Sequence, residues 1–227
     1  TNIVGGQDEL VFDGGGMAVE AAGKIVARTE LFREGTLFVD VVKSSGKWAP
    51  APGRIADLPA PVEEVYEALK LGLKDYTDKN GFPGVIVALS GGIDSALVAT
   101  IAVDALGKGR VFGVTLPSVI TSRETFSDAL ELAKRLGIPC LQIPIAPAVD
   151  ALTNMVAPAC AAVDWAQPLP GTLMEENLQA RIRGVIVMAL SNRFGHMVVT
   201  TGNKSEMATG YATLYGDMCG GFALIKD

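Results

Sequence analysis

The chain has 227 residues, a formal net charge of −6, 49% hydrophobic residues and a mean hydropathy of +0.33. Lys and Arg are scattered rather than gathered into a stripe, which argues against a nucleic-acid surface but leaves small phosphorylated ligands open. No apolar run reaches the roughly 18 residues of a membrane span, and the start, TNIVGGQDEL, does not read as a signal peptide. Cys140, Cys160 and Cys219 form no CxxC pair and are odd in number, so the reading is a reduced, cytoplasmic protein. The first residue is not Met, and the sequence reads as processed or as a fragment.

Residues 3–42 read as β structure. Leu10–Phe12, Met17–Val19 and Ile25–Ala27 are short apolar runs, the last two joined by a turn at Ala22-Gly23-Lys24, and Thr36–Val42 reads as a further strand. So few strands cannot close a core, so the segment reads as the end of something larger. GGQDELVFDGGG followed by AAGKIVAR resembles the C-terminal part of nitrilase-like glutamine amidase domains. The Glu–Lys–Cys set of that family lies earlier than this chain begins, so no amidase residue is carried over.

Residues 43–61 are rich in Pro, Gly and Ser and read as a linker. A helix then opens at Val62, with Val65, Leu69, Leu73 and Tyr76 at helical spacing, and stops near Lys79 before Asn80-Gly81.

The centre of the sequence is Gly84–Leu106. Val85–Leu89 is a continuous β-branched run, the pattern of a strand buried on both faces. Ser90-Gly91-Gly92-Ile93-Asp94-Ser95 follows, and then an Ala/Leu/Val-rich helix. Strand, glycine turn and helix N-terminus together hold phosphate, because successive N–H groups and the helix dipole face the anion. The lysine of a Walker A loop is absent. Hydroxyls and backbone donors form the cradle instead, with Asp94 available to a metal ion; the bland alternative is a tight turn in which Asp94 or Ser95 merely caps the helix. SGGxDS resembles the pyrophosphate loop of the N-type ATP pyrophosphatases, which split ATP into AMP and pyrophosphate.

Strand Val111–Leu116, a polar loop Ser118–Arg123, helix Glu124–Leu136 and strand Leu141–Ile145 continue the alternation. This predicts an α/β fold with a doubly wound parallel sheet and right-handed crossovers. Ligands of such sheets bind at the strand carboxyl ends, where Ser90, Leu116-Pro117-Ser118 and Pro144 fall. A helix at Ala148–Val156 and a mobile loop precede the long helix Glu175–Phe194, whose polar first half carries Asn177, Arg181 and Arg183; Trp165 suggests no chemistry. His196 reads as a strand-entry residue. Strand Met197–Thr201 ends in Gly202-Asn203-Lys204-Ser205-Glu206, the same strand, turn and acid-bearing helix again. A polar loop, Tyr211–Asp217, and Gly220-Gly221-Phe222 close the sequence.

Asp94 and Glu206 are thus two carboxylates able to bridge Mg²⁺, Arg181 is a fixed cation and Asp217 a further acid. Each has a bland reading as a surface or helix-terminal residue; placed at the strand ends of one crevice, together they favour a site.

SGGIDSALVA, EENLQARIRG, TTGNKSE and YATLYGDMCGGFALIKD resemble glutamine-dependent NAD⁺ synthetases over nearly all of residues 62–227, and the nitrilase-like start fits the same family. The resemblance implies an adenine nucleotide alpha hydrolase-like fold, with residues 1–42 a glutaminase remnant and 62–227 a synthetase domain truncated at its C-terminus. It implies a carbon–nitrogen ligase that adenylates deamido-NAD⁺ with ATP, releases pyrophosphate and displaces AMP with ammonia from glutamine. By the same resemblance Ser90, Gly91, Gly92, Asp94 and Ser95 hold pyrophosphate and metal, Glu206 is the second metal carboxylate and Thr201 a nucleotide contact. Asn177, Arg181 and Asp217 match the deamido-NAD⁺ side. The family implies a homo-oligomer, with the helix Val62–Tyr76 as a candidate contact. It also has a lysine-bearing loop soon after residue 227, so the chain as given is expected to bind nucleotides yet turn over poorly. The alternatives are another ATP pyrophosphatase ligase, such as a GMP synthetase-like enzyme, or a non-catalytic nucleotide-binding module.

Overall fold

A computed structural model describes residues 1–7, 10–162 and 173–226. It divides into two compact units, Thr1–Lys79 and Asn80–Asp227.

Among the described residues, the first unit is built from three antiparallel hairpins and a helix. Strands β1 (Val4–Gln7) and β2 (Leu10–Asp13) pair with Val4 opposite Asp13. Strands β3 (Met17–Val19) and β4 (Ile25–Arg28) pair across the turn at Gly23, as the sequence indicates. The strand expected at Thr36–Val42 forms instead at β5 (Val41–Ser44), paired with β6 (Lys47–Pro50). Part of the stretch read as an irregular linker is therefore a hairpin. Its two turn residues, Ser45 and Gly46, have φ of +50° and +82°, the left-handed pair that matches the twist of a two-residue hairpin.

Helix α1 (Pro61–Lys79) packs within this unit. The Asp75 carboxylate accepts from Gly6 N at 2.7 Å, and Lys79 Nζ donates to Gly6 O at 2.7 Å. The boundary read from sequence, between 61 and 62, falls in the first turn of α1, whereas the compact units divide after that helix. These bonds join residues about seventy positions apart, beyond the reach of local pattern.

Among the described residues, the second unit is a five-stranded sheet, all parallel, flanked by helices. Its elements in chain order are β7 (Val85–Ala88), α2 (Ile93–Leu106), β8 (Val111–Thr115), α3 (Arg123–Leu136), β9 (Cys140–Gln142), α4 (Ala146–Ala161), α5 (Leu173–Phe194), β10 (Met197–Thr200), α6 (Lys204–Thr209) and β11 (Phe222–Ala223). The order across the sheet is β11-β10-β7-β8-β9. The chain thus moves outward from β7 to β9, then returns to lay β10 on the other side of β7. That reversal makes a topological switch between β7 and β10, and a crevice opens where their loops part.

Burial follows the strand alternation. Val85 and Val87 of β7 are fully buried, as are Val98, Ile101 and Ala102 of α2, which packs on β7 and β8. Ile86 joins a core cluster with Val114, Leu116, Val198 and, from α5, Ile182 and Val187.

Three local differences from the sequence reading have clear causes. Regular strand ends at Gln142, before Pro144, which has no N–H to donate. The backbone bonds of the expected strand nevertheless persist, from Ile143 N to Thr115 O and from Ile145 N to Pro117 O. Helix α4 runs longer than Ala148–Val156 and carries Pro158 inside it; the remainder of the expected loop, 163–172 with Trp165, lies outside the described residues. The short strand β11 pairs with β10 through Val199 opposite Phe222, too short to leave a pattern. His196 does enter a strand, stacked edge-on to Phe112. Among the described residues, no helix is long and apolar enough to cross a membrane.

Candidate functional site

The phosphate-type loop leaves β7 and enters α2. Gly91 adopts φ +83°, and a Cβ there would lie 2.1 Å from Thr125 O in the first turn of α3. Only glycine fits. The loop is held by hydroxyls: Gly92 N donates to Ser90 Oγ at 3.2 Å, Ser90 N donates to Ser95 Oγ at 3.2 Å, and Ser95 Oγ donates to Gly92 O at 3.0 Å. Ser95 is 1% exposed, so it clamps the loop from beneath, while Ser90 faces outward. No side chain caps α2, which leaves the amides of its first turn for an anion. The Asp94 carboxylate has no hydrogen-bond or ion-pair partner among the described residues.

The second turn leaves β10 and enters α6. Here Asn203 is the N-cap, accepting from Glu206 N at 3.0 Å, while Glu206 Oε2 accepts from Asn203 N at 2.9 Å. This is a reciprocal capping box. It aims the Glu206 carboxylate back over the turn, so one acid both caps the start of the helix and faces the crevice.

A third segment, 211–219, folds against α5. A Cβ on Gly184 would come 2.9 Å from Tyr215 O, and one on Gly216 would come 2.9 Å from the backbone of Ala180. Two glycines therefore let loop and helix touch. Thr213 Oγ1 donates to Asn177 Oδ1 at 3.0 Å, Thr213 N donates to Asp217 Oδ2 at 3.2 Å, and Arg181 Nε donates to Leu214 O at 3.2 Å. Asn177, Arg181 and Asp217, expected on one substrate side, are brought together by this loop.

Two adjoining cavities lie at the strand carboxyl ends. One, about 550 Å³, is lined by Ser90, Asp94, Ser95, Thr201, Glu206 and Asp217 among others. The other, about 570 Å³, shares Ser90, Thr201 and Asp217 and is walled by Leu116, Ile120, Phe126 and Val187. The first joins the two carboxylates to the glycine loop; the second offers apolar walls edged by Ser118, Thr121 and Thr125. Such a pair suits a molecule with a charged phosphate end and a flat, weakly polar body. Asn177 and Arg181 line neither cavity.

Among the described residues, no three Asp, Glu, His or Cys side chains cluster to hold a metal by protein alone. Asp94 and Glu206 nevertheless bring two hard oxygen donors to one cavity. That set fits Mg²⁺, which takes one or two carboxylates and completes its shell with water and substrate phosphate.

Arg183 is a site residue that the sequence does not single out. It lines the larger cavity, and its Nε donates to Leu116 O at 3.3 Å. Burial holds its guanidinium below the usual arginine range, an effect the Asp217 carboxylate opposes. A signal was present: Arg183 stands at helical spacing from the small and apolar Ala180, Gly184 and Val187, which are buried along with Ile182.

The chain is similar to known proteins of one kind. The family model described as NAD synthase matches residues 65–227. The glutamine-dependent NAD(+) synthetase of Thermotoga maritima is 47% identical over an alignment covering all of this chain and 43% of that protein. The structure of glutamine-dependent NAD+ synthetase from Acinetobacter baumannii, in complex with adenosine diphosphate, superposes with a TM-score of 0.90 at 41% identity. It covers 99% of this chain and 41% of its own. The NH3-dependent NAD synthetase from Campylobacter jejuni subsp. jejuni, solved with nitrate ion, gives a TM-score of 0.65 at 30% identity, over 74% of this chain and 69% of that one. The chain spans about two fifths of the length of the curated relatives it matches. With a family match over most of its length and its loops arranged around one switch-point crevice, the chain belongs to the NAD synthase family.

Proposed function

We propose that this chain carries the synthetase site of a glutamine-dependent NAD⁺ synthetase. The reaction converts the nicotinate carboxylate of deamido-NAD⁺ into an amide in two steps. A carboxylate oxygen attacks the α-phosphorus of ATP, the bond to the β-phosphate breaks, and pyrophosphate leaves. Ammonia then attacks the acyl carbon and loses a proton, and AMP departs with the electrons of the acyl–oxygen bond. Activation is needed because a carboxylate has no leaving group of its own.

The single observation that carries this reading is the cavity lined at once by Ser90, Asp94, Thr201 and Glu206. Ser90 and the loop amides hold phosphate oxygens, Gly91 and Gly92 let the backbone approach, and Ser95 keeps the loop in shape. Thr201 contacts the nucleotide, while Asn177, Arg181 and Asp217 set the deamido-NAD⁺ side. Asp94 and Glu206 would hold Mg²⁺, which when bound would offer positive charge to phosphate oxygens. The relatives' names support glutamine as nitrogen donor, through a glutaminase domain of which residues 1–42 are the end. Three free cysteines support a reducing, cytoplasmic setting. A homo-oligomer is proposed, with the exposed Val62 and Val65 of α1 at the contact; light scattering of the full-length protein checks it, and a monomer rules it out.

The test is product analysis with the full-length protein, Mg·ATP, deamido-NAD⁺ and either ammonium or glutamine. NAD⁺ and AMP formed one for one from both nitrogen sources is the expected result. AMP without NAD⁺ would assign another acceptor.

A further inference from the structure

We propose that Arg183 is an anion-binding residue of this site and that its guanidinium takes a phosphate oxygen of a substrate nucleotide. The inference rests on the nucleotide reading above and adds a residue to it. Arg183 is half-buried on α5 and turned toward the larger cavity. Its Nε is committed to Leu116 O, which fixes the plane of the guanidinium. Among the described residues it makes no ion pair and no other hydrogen bond, so the N–H groups at its two terminal nitrogens lack a protein partner. A half-buried guanidinium left so poorly paired is costly, and such charges are ordinarily matched by an anion.

Asp217 lines the same cavity, but its Oδ2 is engaged by Thr213 N, and the two side chains form no ion pair. Asp217 thus offers charge without contact, and the N–H groups at the two terminal nitrogens are left to an anion of the ligand. Arginine is suited to it, since its planar fork meets two phosphate oxygens at once and lysine does not. Arg183 is moreover the one Lys or Arg among the described residues lining this cavity, next to a loop without a Walker lysine. Arg181, expected to be the fixed cation, also gives its Nε to a backbone carbonyl, Leu214 O, but lines neither cavity.

A phosphate oxygen could come from ATP or from deamido-NAD⁺, and equilibrium binding to the full-length protein separates them. ATP is compared with adenosine, and deamido-NAD⁺ with nicotinic acid riboside, for the wild type, Arg183→Gln and Arg183→Lys. In at least one pair, Arg183→Gln is expected to weaken the phosphorylated ligand roughly ten- to a hundredfold and leave its nucleoside within twofold. Arg183→Lys, keeping charge without the fork, is expected to fall between. The pair that responds names the source. Equal losses for nucleotide and nucleoside would make Arg183 a purely structural tie to Leu116 and overturn the proposal, as would no loss at all. Failure of the wild type to bind either nucleotide would instead remove the nucleotide reading, and this inference with it.

Discussion

The second unit contains the same device twice, built in opposite ways. After β7 and after β10 the chain makes a glycine turn, starts a helix and presents an acid in its first turn. In the first turn the glycine is obligatory: Gly91 is left-handed and pressed against Thr125 O. In the second, Gly202 is free of such constraint, with only Glu206 Oε2, at 3.8 Å, near its missing Cβ. The acids differ in the reverse sense. Asp94 has no partner among the described residues, whereas Glu206 is bound into a capping box. One turn takes its shape from glycine and leaves its acid to the ligand; the other takes its shape from the acid itself.

Substitution separates these arrangements. The largest effect belongs to Gly91→Ala, which must relieve a 2.1 Å contact with backbone and a positive φ together. A loss of about 3 kcal/mol or more is expected, read as a fall in the unfolding midpoint with loss of ATP binding. A fully stable Gly91→Ala protein would break the comparison at its first point.

Next comes Asp94→Ala, expected to lower turnover roughly a hundred- to a thousandfold with the unfolding midpoint unchanged. Activity without stability is the mark of an acid that serves only the ligand. Glu206 should show both. Glu206→Gln can still close a capping box and is expected to keep stability while losing roughly a hundredfold in turnover. Glu206→Ala loses the cap as well, about 1 kcal/mol of stability. Equal stability of the two Glu206 variants would mean that the capping box contributes nothing. The smallest effect is Gly202→Ala, expected within about 0.5 kcal/mol of wild type.

A last, chemical contrast uses the cysteines. Burial pushes the Cys140 thiol up from its ordinary range, while Cys160 is exposed. Alkylation of the native protein near neutral pH is expected to label Cys160 well before Cys140, because the thiolate is the reactive form. Mass spectrometry at timed intervals reads the order.

Much of this was legible in the residues alone. Val85–Leu89, SGGIDS and the apolar helix behind them announce a buried strand and a phosphate loop because each feature acts within a few residues. The same holds for Asn203 and Glu206, whose capping spacing is itself the structure, and for the alternation that implied a parallel sheet. The hairpin at Ser45-Gly46 was written just as locally and was masked by the Pro-rich composition around it.

What the sequence determined by itself was thus the local chemistry: which loop can hold phosphate, which acids stand at helix starts, and which strands must be buried on both faces. Tertiary structure alone decided which of these meet. The return of β10 beside β7 puts Asp94 and Glu206 in one cavity, and the Gly184–Gly216 approach brings the 211–219 loop onto α5. Two arginines lie two positions apart on α5, roughly 200° around the helix; packing turned Arg183 toward the cavity and left Arg181 to the loop. The reason is one of range. Caps and turns are settled by neighbours in the chain, but the facing of a helix and the order of a sheet are settled by burial shared among residues far apart in it.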